Sequence, residues 1–179
     1  MEMTHEQYME LALQEAEKAA GQGEVPIGAV IVKDGQVIAK AHNMREQWLD
    51  ATAHAEVIAI REACEKLRNW RLSGCTLYVT VEPCPMCAGA IFNSRVDTVI
   101  FGCRDNRAGA VESLFNVLSH PLLNHQPQVI GGILEDRCAV VVKRFFCFLQ
   151  GRREIKCVQD LHYCGKIYSE CFGAVSKWS

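Results

Sequence analysis

The chain has 179 residues, of which 49% are hydrophobic and 22% are charged. This composition is typical of one soluble domain and excludes a fibrous, disordered or disulfide-stapled chain. The formal net charge of −2 provides no global attraction to nucleic acid. The N-terminal segment lacks the order of a signal peptide, and no apolar run approaches the ~20 residues of a membrane span. We therefore expect a cytoplasmic protein without a membrane partner, whose ten cysteines are reduced.

Hydrophobic patterning in the first third of the chain predicts a helix, a hairpin and a second helix. Apolar residues recur at helical spacing in the N-terminal segment, where Thr4 and Gln7 fit a capping box. The run "IGAVIVKDGQVIAKAH" predicts a β-hairpin that turns at Asp34-Gly35. A polar loop follows, and then a helix that begins near His54.

The alternation of strands and helices continues to about residue 149. The runs "CTLYVTV" and "DTVIFGC" predict strands on either side of a helix, "PMCAGAIFNSR". A short helix around "ESLFNVL", a strand near "QVIGGIL" and a helix through "EDRCAVVVKRFFCFL" follow. We expect a three-layer α/β/α fold with a central mixed five-stranded sheet. Residues 1–156 are expected to form this one domain, and residues 157–179 a C-terminal extension of unknown role.

Two cysteines follow the predicted strand in "TVEPCPMCAGAI". A C-x-x-C pair alone is compatible with a metal site, a redox site or plain packing. Pro85 favours placing Cys84 and Cys87 in the first turn of a helix, where unpaired N–H groups favour thiolates. His54, at the start of the preceding helix, is the candidate third ligand. Three protein ligands leave a tetrahedral zinc one open position, which is the arrangement of catalytic zinc sites.

Glu56 is the candidate catalytic residue. It lies two positions after His54, and side chains at that spacing do not share a helix face, so we do not expect it to be a ligand. A carboxylate beside a water activated by zinc can take up a proton and release it elsewhere. His-Ala-Glu alone at a helix start is usually a cap. Together with P-C-x-x-C, however, it completes the H-x-E…P-C-x-x-C signature of zinc nucleobase deaminases.

Longer stretches resemble the bacterial tRNA-specific adenosine deaminases: "GEVPIGAVIV", "HN" at 42–43, "AHAE", "TLYVTVEPCPMCAGAI", "FGCRD" and "LLNH". The resemblance implies a cytidine-deaminase-like fold, one catalytic zinc ion per subunit and a homodimer. It implies that the partner is a tRNA anticodon stem-loop, whose wobble adenosine, in an arginine tRNA, is hydrolysed to inosine. In that reaction a water activated by zinc attacks C6, and Glu56 carries the proton.

The resemblance also implies roles for single residues. The zinc ligands are matched by His54, Cys84 and Cys87. Asn43 matches an asparagine that contacts the flipped adenosine, although by itself it would be read as a loop residue after a strand.

Further matches lie in the polar segments after residue 103. Asp105 matches an aspartate near the substrate nucleotide, and could equally cap a turn. A polar segment beside the RNA path is matched by His120, Asn124 and His125. Taken singly, these residues would be read as loop hydrogen-bonding groups.

The chain departs from the family pattern in two places. Ala51 stands where the family has a proline, which loosens the loop that carries Asn43. The candidate RNA contacts Arg152 and Arg153 come about two residues late, and on a continuous helix that rotates them by roughly 200°.

The residues leave two other interpretations open. A free nucleoside or nucleobase deaminase, acting on cytidine, cytosine or guanine, would use the same zinc chemistry. A noncatalytic zinc or redox module would use Cys84 and Cys87 without any need for Glu56. The cysteines outside this pair are expected to pack as small apolar residues.

Overall fold

The computed structural model describes residues 3–149. Arg152, Arg153 and the extension 157–179 lie outside the described residues. The elements are, in chain order, α1 (His5–Gly21), β1 (Gly28–Lys33), β2 (Gln36–His42), α2 (Arg45–Trp48), α3 (Ala55–Leu67), β3 (Cys75–Val81), α4 (Pro85–Ser94), β4 (Thr98–Cys103), β5 (Gln128–Ile130) and α5 (Glu135–Leu149).

Local sequence signals explain how the first elements begin and turn. The Thr4 side chain accepts a hydrogen bond from the Gln7 N–H, and the Gln7 side chain accepts one from the Thr4 N–H, so the predicted capping box is confirmed. Between β1 and β2, Asp34 and Gly35 have φ angles of 50° and 72°. Positive φ at both central residues is the geometry that suits the right-handed twist of a tight hairpin. The predicted hairpin is confirmed.

The five strands form one mixed sheet in the order β2-β1-β3-β4-β5. β1 is antiparallel to both of its neighbours, whereas β3, β4 and β5 are parallel to one another. The strands β2, β3 and β4 therefore end at the same edge of the sheet, where β1 begins. The register confirms this, since Gly28 is paired with His42, and Val81 with Cys103. We call this edge, marked by these four residues, the carboxyl edge.

Helices cover both faces of the sheet, as expected for a three-layer fold. Along β1, Ala29 and Ile31 pack on the α3–α4 side, and Val30 and Val32 pack on the α1–α5 side. This alternation follows from the two-residue repeat of a strand. Because β1 and β3 are buried on both faces, their sequences are mostly apolar and show no alternation of apolar and charged residues.

One predicted element is wrong. The segment around "ESLFNVL" forms turns rather than a short helix. Its first backbone N–H groups donate to the carboxyl group of Glu82, and the N–H groups of Leu114 and Phe115 donate to the carbonyl of Gly109. These bonds replace the pattern that a helix would require. The short helix α2, conversely, lies in what the sequence predicts as a polar loop.

Within residues 3–149, no helix combines the length and the apolar character that a bilayer crossing would demand.

Candidate active site

Three candidate ligands meet where two helices begin. His54 is the N-cap residue of α3, and Cys84 is the N-cap residue of α4, which follows β3 at the carboxyl edge. Cys87 lies in the first turn of α4, which Pro85 opens at a position where the missing N–H costs nothing. Neither N-cap side chain makes a capping bond within the described chain. Both side chains are thus free to point at each other.

The distances among these side chains suit a tetrahedral metal ion. Nδ1 of His54 lies 3.7 Å from Sγ of Cys84 and 3.5 Å from Sγ of Cys87. All three candidate ligand atoms lie within 4.8 Å of one another. Zinc bonds of ~2.3 Å to sulfur and ~2.0 Å to nitrogen, at tetrahedral angles, put the two ligand atoms about 3.5 Å apart. The side chains present therefore fit zinc in both ligand type and spacing.

The charges of these groups favour a thiolate. The hydrogen bond from the Cys87 thiol, together with the contact to His54, lowers the pKa of Cys84 to about 4 against the effect of burial. The same bond, and burial, raise the pKa of Cys87. The hydrogen bond to Cys84 also raises the pKa of His54. A deprotonated sulfur is the form that binds a metal.

Glu56 lies next to the three candidate ligands but outside their group. It is in the first turn of α3 and only 3% exposed, and its Oε2 has no hydrogen-bond partner among residues 3–149. Burial raises the pKa of this carboxyl group. A buried oxygen without a partner is costly, so its presence beside a candidate metal site points to a proton-transfer role.

Asn43 reaches the same edge from β2. Met44, the next residue, donates its N–H to the carbonyl of Ala53 at 3.0 Å, which ties this loop to the residue before His54. The Asn43 side chain is buried, and its Nδ2 donates to Oε2 of Glu24 at 3.0 Å. Sequence patterning did not indicate a role for Glu24. The available signal was an acidic residue inside the apolar stretch "GEVPIGAVIV".

Asp105 also lies at the carboxyl edge, after β4. Its Oδ1 accepts the N–H of Arg107 at 2.9 Å, so it does cap a turn. Its own N–H donates to Oε2 of Glu82 at 3.1 Å. Asp105 and Arg107 line a cavity of about 200 Å³ together with apolar residues of the α5 side of the sheet.

Glu82 organises the loop that carries Asp105, and sequence patterning did not indicate this role either. Its Oε1 accepts three backbone N–H groups, those of Val111, Glu112 and Ser113, at 2.7–3.1 Å. Its Oε2 also accepts the hydroxyl of Ser113. The available signal was an acidic residue directly after a strand that is buried along nearly its whole length.

The other candidate residues are not brought to the metal ligands in this chain. Asn124 accepts a hydrogen bond from Arg95 at 2.9 Å, and Nε2 of His125 lies 2.7 Å from the carbonyl oxygen of Val96. Both partners follow the C-terminal end of α4, at the opposite edge of the sheet. His120 accepts the N–H of Leu122 within its own loop.

Comparison with known proteins matches residues 3–146 to the family model described as MafB19-like deaminase. The chain is 50% identical over 149 residues to the tRNA-specific adenosine deaminase of Bacillus subtilis (strain 168), with 83% of this chain and 92% of that relative covered.

Two solved structures are also similar. One comes from a study of A-to-I editing by tRNA:A34 deaminases, with a TM-score of 0.73 and 48% identity, and covers 75% of this chain and 98% of that one. The other is a guanine deaminase from Nitrosomonas europaea, with a TM-score of 0.67 and 25% identity, and covers 79% of this chain and 84% of that one. Both similarities extend over most of the described fold.

Proposed function

Since the chain belongs to the deaminase family that includes the tRNA-specific adenosine deaminases, we propose that it hydrolyses the wobble adenosine of a tRNA anticodon loop to inosine. The observation that carries this proposal is the grouping of His54, Cys84 and Cys87 beside the buried Glu56. The sequence identity of 50% to such an enzyme supports it. We propose further that the substrate is an arginine tRNA and that the enzyme works in the cytoplasm.

We propose that His54, Cys84 and Cys87 hold one zinc ion per subunit. Nδ1 of His54 and the two Sγ atoms supply a donor set of one imidazole and two sulfurs, spaced as such an ion requires. When bound, zinc supplies Lewis acidity, which makes a water molecule acidic enough to act as a nucleophile near neutral pH.

Glu56 is proposed to move the protons. Its free Oε2 is the atom that takes a proton from the attacking water and passes it to N1 of adenine. The same carboxyl group then takes the remaining proton of the hydroxyl group added at C6 and gives it to the departing amine, so that water and adenosine become inosine and ammonia. Burial suits this task because it brings the pKa of Glu56 up towards the operating pH.

Asn43 and Asp105 are proposed to contact the substrate nucleotides, because both lie at the carboxyl edge with the metal ligands. The target base reaches them by leaving the stack of a single-stranded loop, where unstacking is least costly. Asn124 and His125, two of the proposed RNA contacts, lie at the opposite edge of the sheet in the same chain, so they would meet the RNA away from the flipped base. His120, Arg152 and Arg153 are proposed as further RNA contacts.

We also propose a homodimer. Leu114 and Phe115 are adjacent apolar side chains, each more than half exposed, in the loop that Glu82 organises. Exposed apolar neighbours of this kind are common where proteins associate, and the resemblance to dimeric enzymes favours a second copy of the chain as the partner.

The test is to incubate the zinc-loaded enzyme with an anticodon stem-loop carrying adenosine at the wobble position, and to measure inosine by mass spectrometry. Free adenosine, cytidine, cytosine and guanine are assayed in parallel with the same preparation. We expect inosine only in the RNA. Turnover of a free base with none on RNA would instead support a nucleobase deaminase, an activity carried by one of the similar structures.

A further inference from the structure

A buried acidic side chain that the proposed chemistry does not use lies directly behind Asn43. Glu24 is 0% exposed and precedes β1 at the carboxyl edge. Its Oε2 accepts the hydrogen bond from Nδ2 of Asn43, and its Oε1 accepts the backbone N–H of Gln47 at 2.9 Å. Across residues 3–149, no ion pair includes Glu24.

Burial of a carboxyl group without a cation is unfavourable, so stability alone does not account for Glu24. Its two hydrogen bonds compensate for part of the lost hydration. An apolar side chain of similar volume would avoid the desolvation cost altogether. The particular contribution of a carboxyl group here is that both of its oxygens accept hydrogen bonds.

This property fixes the orientation of the Asn43 amide. An asparagine amide can turn by half a rotation and exchange its oxygen with its nitrogen. Only Nδ2 can donate to Oε2 of Glu24, so the opposite orientation would set two oxygens against each other. The backbone of Asn43 is held as well, since its N–H donates to the carbonyl of Ile27 at 3.1 Å. The bond to Glu24 therefore selects one orientation of the amide, in which Oδ1 is an acceptor and Nδ2 has a second N–H as a further donor.

We propose that Glu24 is a positioning residue for the deamination, which acts by holding the amide of Asn43 in the orientation that receives the target adenine. This inference rests on the proposed function. Adenine presents hydrogen-bond donors and acceptors side by side, and an asparagine amide pairs with that pattern only in one orientation. Glu24 thus contributes to the recognition of the base through Asn43, although Glu24 itself does not contact the substrate.

The test uses Glu24→Gln, which keeps the shape of the side chain but has only one acceptor oxygen. It can satisfy either Asn43 or the N–H of Gln47, but not both. We expect kcat on the stem-loop to fall by about 10- to 100-fold, since small misplacements of a positioning group have effects of that size. The KM should stay within about twofold, because phosphate contacts dominate RNA affinity.

A double-mutant cycle with Asn43→Ala separates positioning from a general structural role. If Glu24 acts through Asn43, then Glu24→Gln has no further effect on kcat once Asn43 is alanine. Equal additional losses in both backgrounds would overturn the inference. Glu46→Gln is the matched control, because it makes the same charge change at an exposed position of α2 and should keep full activity.

A second measurement does not depend on turnover. The side-chain amide signals of Asn43, identified by NMR through their absence in Asn43→Ala, should exchange slowly with solvent in the wild type and faster in Glu24→Gln. Unchanged exchange would overturn the inference. If Glu24→Gln does not fold, Glu24→Asp, which keeps both acceptors on a shorter stem, replaces it. A wild-type enzyme inactive on RNA would refute the proposed function itself, whereas an active wild type with additive losses would refute only the role of Glu24.

Discussion

The N-cap residues of two different helices face each other in this protein, with Nδ1 of His54 3.7 Å from Sγ of Cys84. An N-cap side chain ordinarily bonds the N–H groups of its own helix. Here both side chains turn away from that role and point to a common centre. The helix ends thus contribute partial positive charge, which favours thiolate at the centre.

Removal of any one ligand should abolish stable zinc binding. We expect His54→Ala, Cys84→Ser and Cys87→Ser each to lower the metal content from about one ion per chain to a small fraction of that, because two ligands hold zinc far less tightly than three. Elemental analysis after dialysis measures it. Cys64→Ser, at a partly exposed cysteine in α3, is the control and should bind zinc normally. Full zinc content in the two Cys→Ser variants would contradict the proposed ligand set.

Replacement of Glu56, the proposed proton-transfer group, should separate metal binding from turnover. Glu56→Gln preserves the shape of the side chain but cannot carry a proton, so we expect kcat to fall by about 10²- to 10⁴-fold at unchanged zinc content. On one preparation of the variant, the rate of inosine formation gives kcat and elemental analysis gives the zinc content. Glu62→Gln makes the same change at an exposed position of α3 and should be silent. If Glu56→Gln lost its zinc, Glu56 would be a ligand rather than a proton carrier.

Glu82 should stabilise the fold in a pH-dependent way. Burial opposes its ionisation. Hydrogen bonds from the Ser113 hydroxyl and from the backbone N–H groups of Glu112, Ser113 and Asp105 nevertheless lower the pKa of this carboxyl group below its ordinary value of 4.5. A lowered folded-state pKa means that the stabilisation is present above the unfolded pKa and is lost as the pH falls through the folded one. Glu82→Gln should therefore lower the free energy of unfolding at neutral pH by about 1–3 kcal/mol.

Urea unfolding at fixed zinc concentration between pH 3 and 8 measures this effect. The difference in the free energy of unfolding between wild type and Glu82→Gln should decrease as the pH falls below about 4.5. Glu17→Gln, at an exposed position of α1, should show no such trend. A difference that grows at acid pH would mean that the carboxyl group is not held ionised in the fold.

The proposed homodimer should depend on the apolar pair Leu114 and Phe115. Replacing both with serine is expected to shift the chain from dimer to monomer in light scattering coupled to size exclusion, because the buried area at the contact becomes polar. Trp70→Ser is the control, since this side chain is as exposed as Phe115 but follows α3 at the opposite edge of the sheet. A double variant that stays dimeric would place the contact elsewhere.

The sequence alone determined the features that depend on neighbouring residues. The capping box at Thr4, the tight turn at Asp34-Gly35 and the proline that opens α4 are set by interactions across a few positions, and each predicts its element correctly. The grouping of His54, Cys84 and Cys87 was also predicted from the sequence, because imidazole and thiolate groups at helix starts are typical zinc ligands.

Only the tertiary structure decided what Glu24 and Glu82 do. Glu24 binds a side chain 19 positions later, and Glu82 binds backbone N–H groups 29 to 31 positions later. Such bonds form only when the sheet brings the start of β1 and the ends of β2, β3 and β4 to the carboxyl edge. The same bonds to Glu82 prevented the helix expected around "ESLFNVL", because a buried carboxyl group at fixed distance competes for the N–H groups of that segment. Local sequence patterns report interactions between residues a few positions apart, so they do not predict a partner that distant.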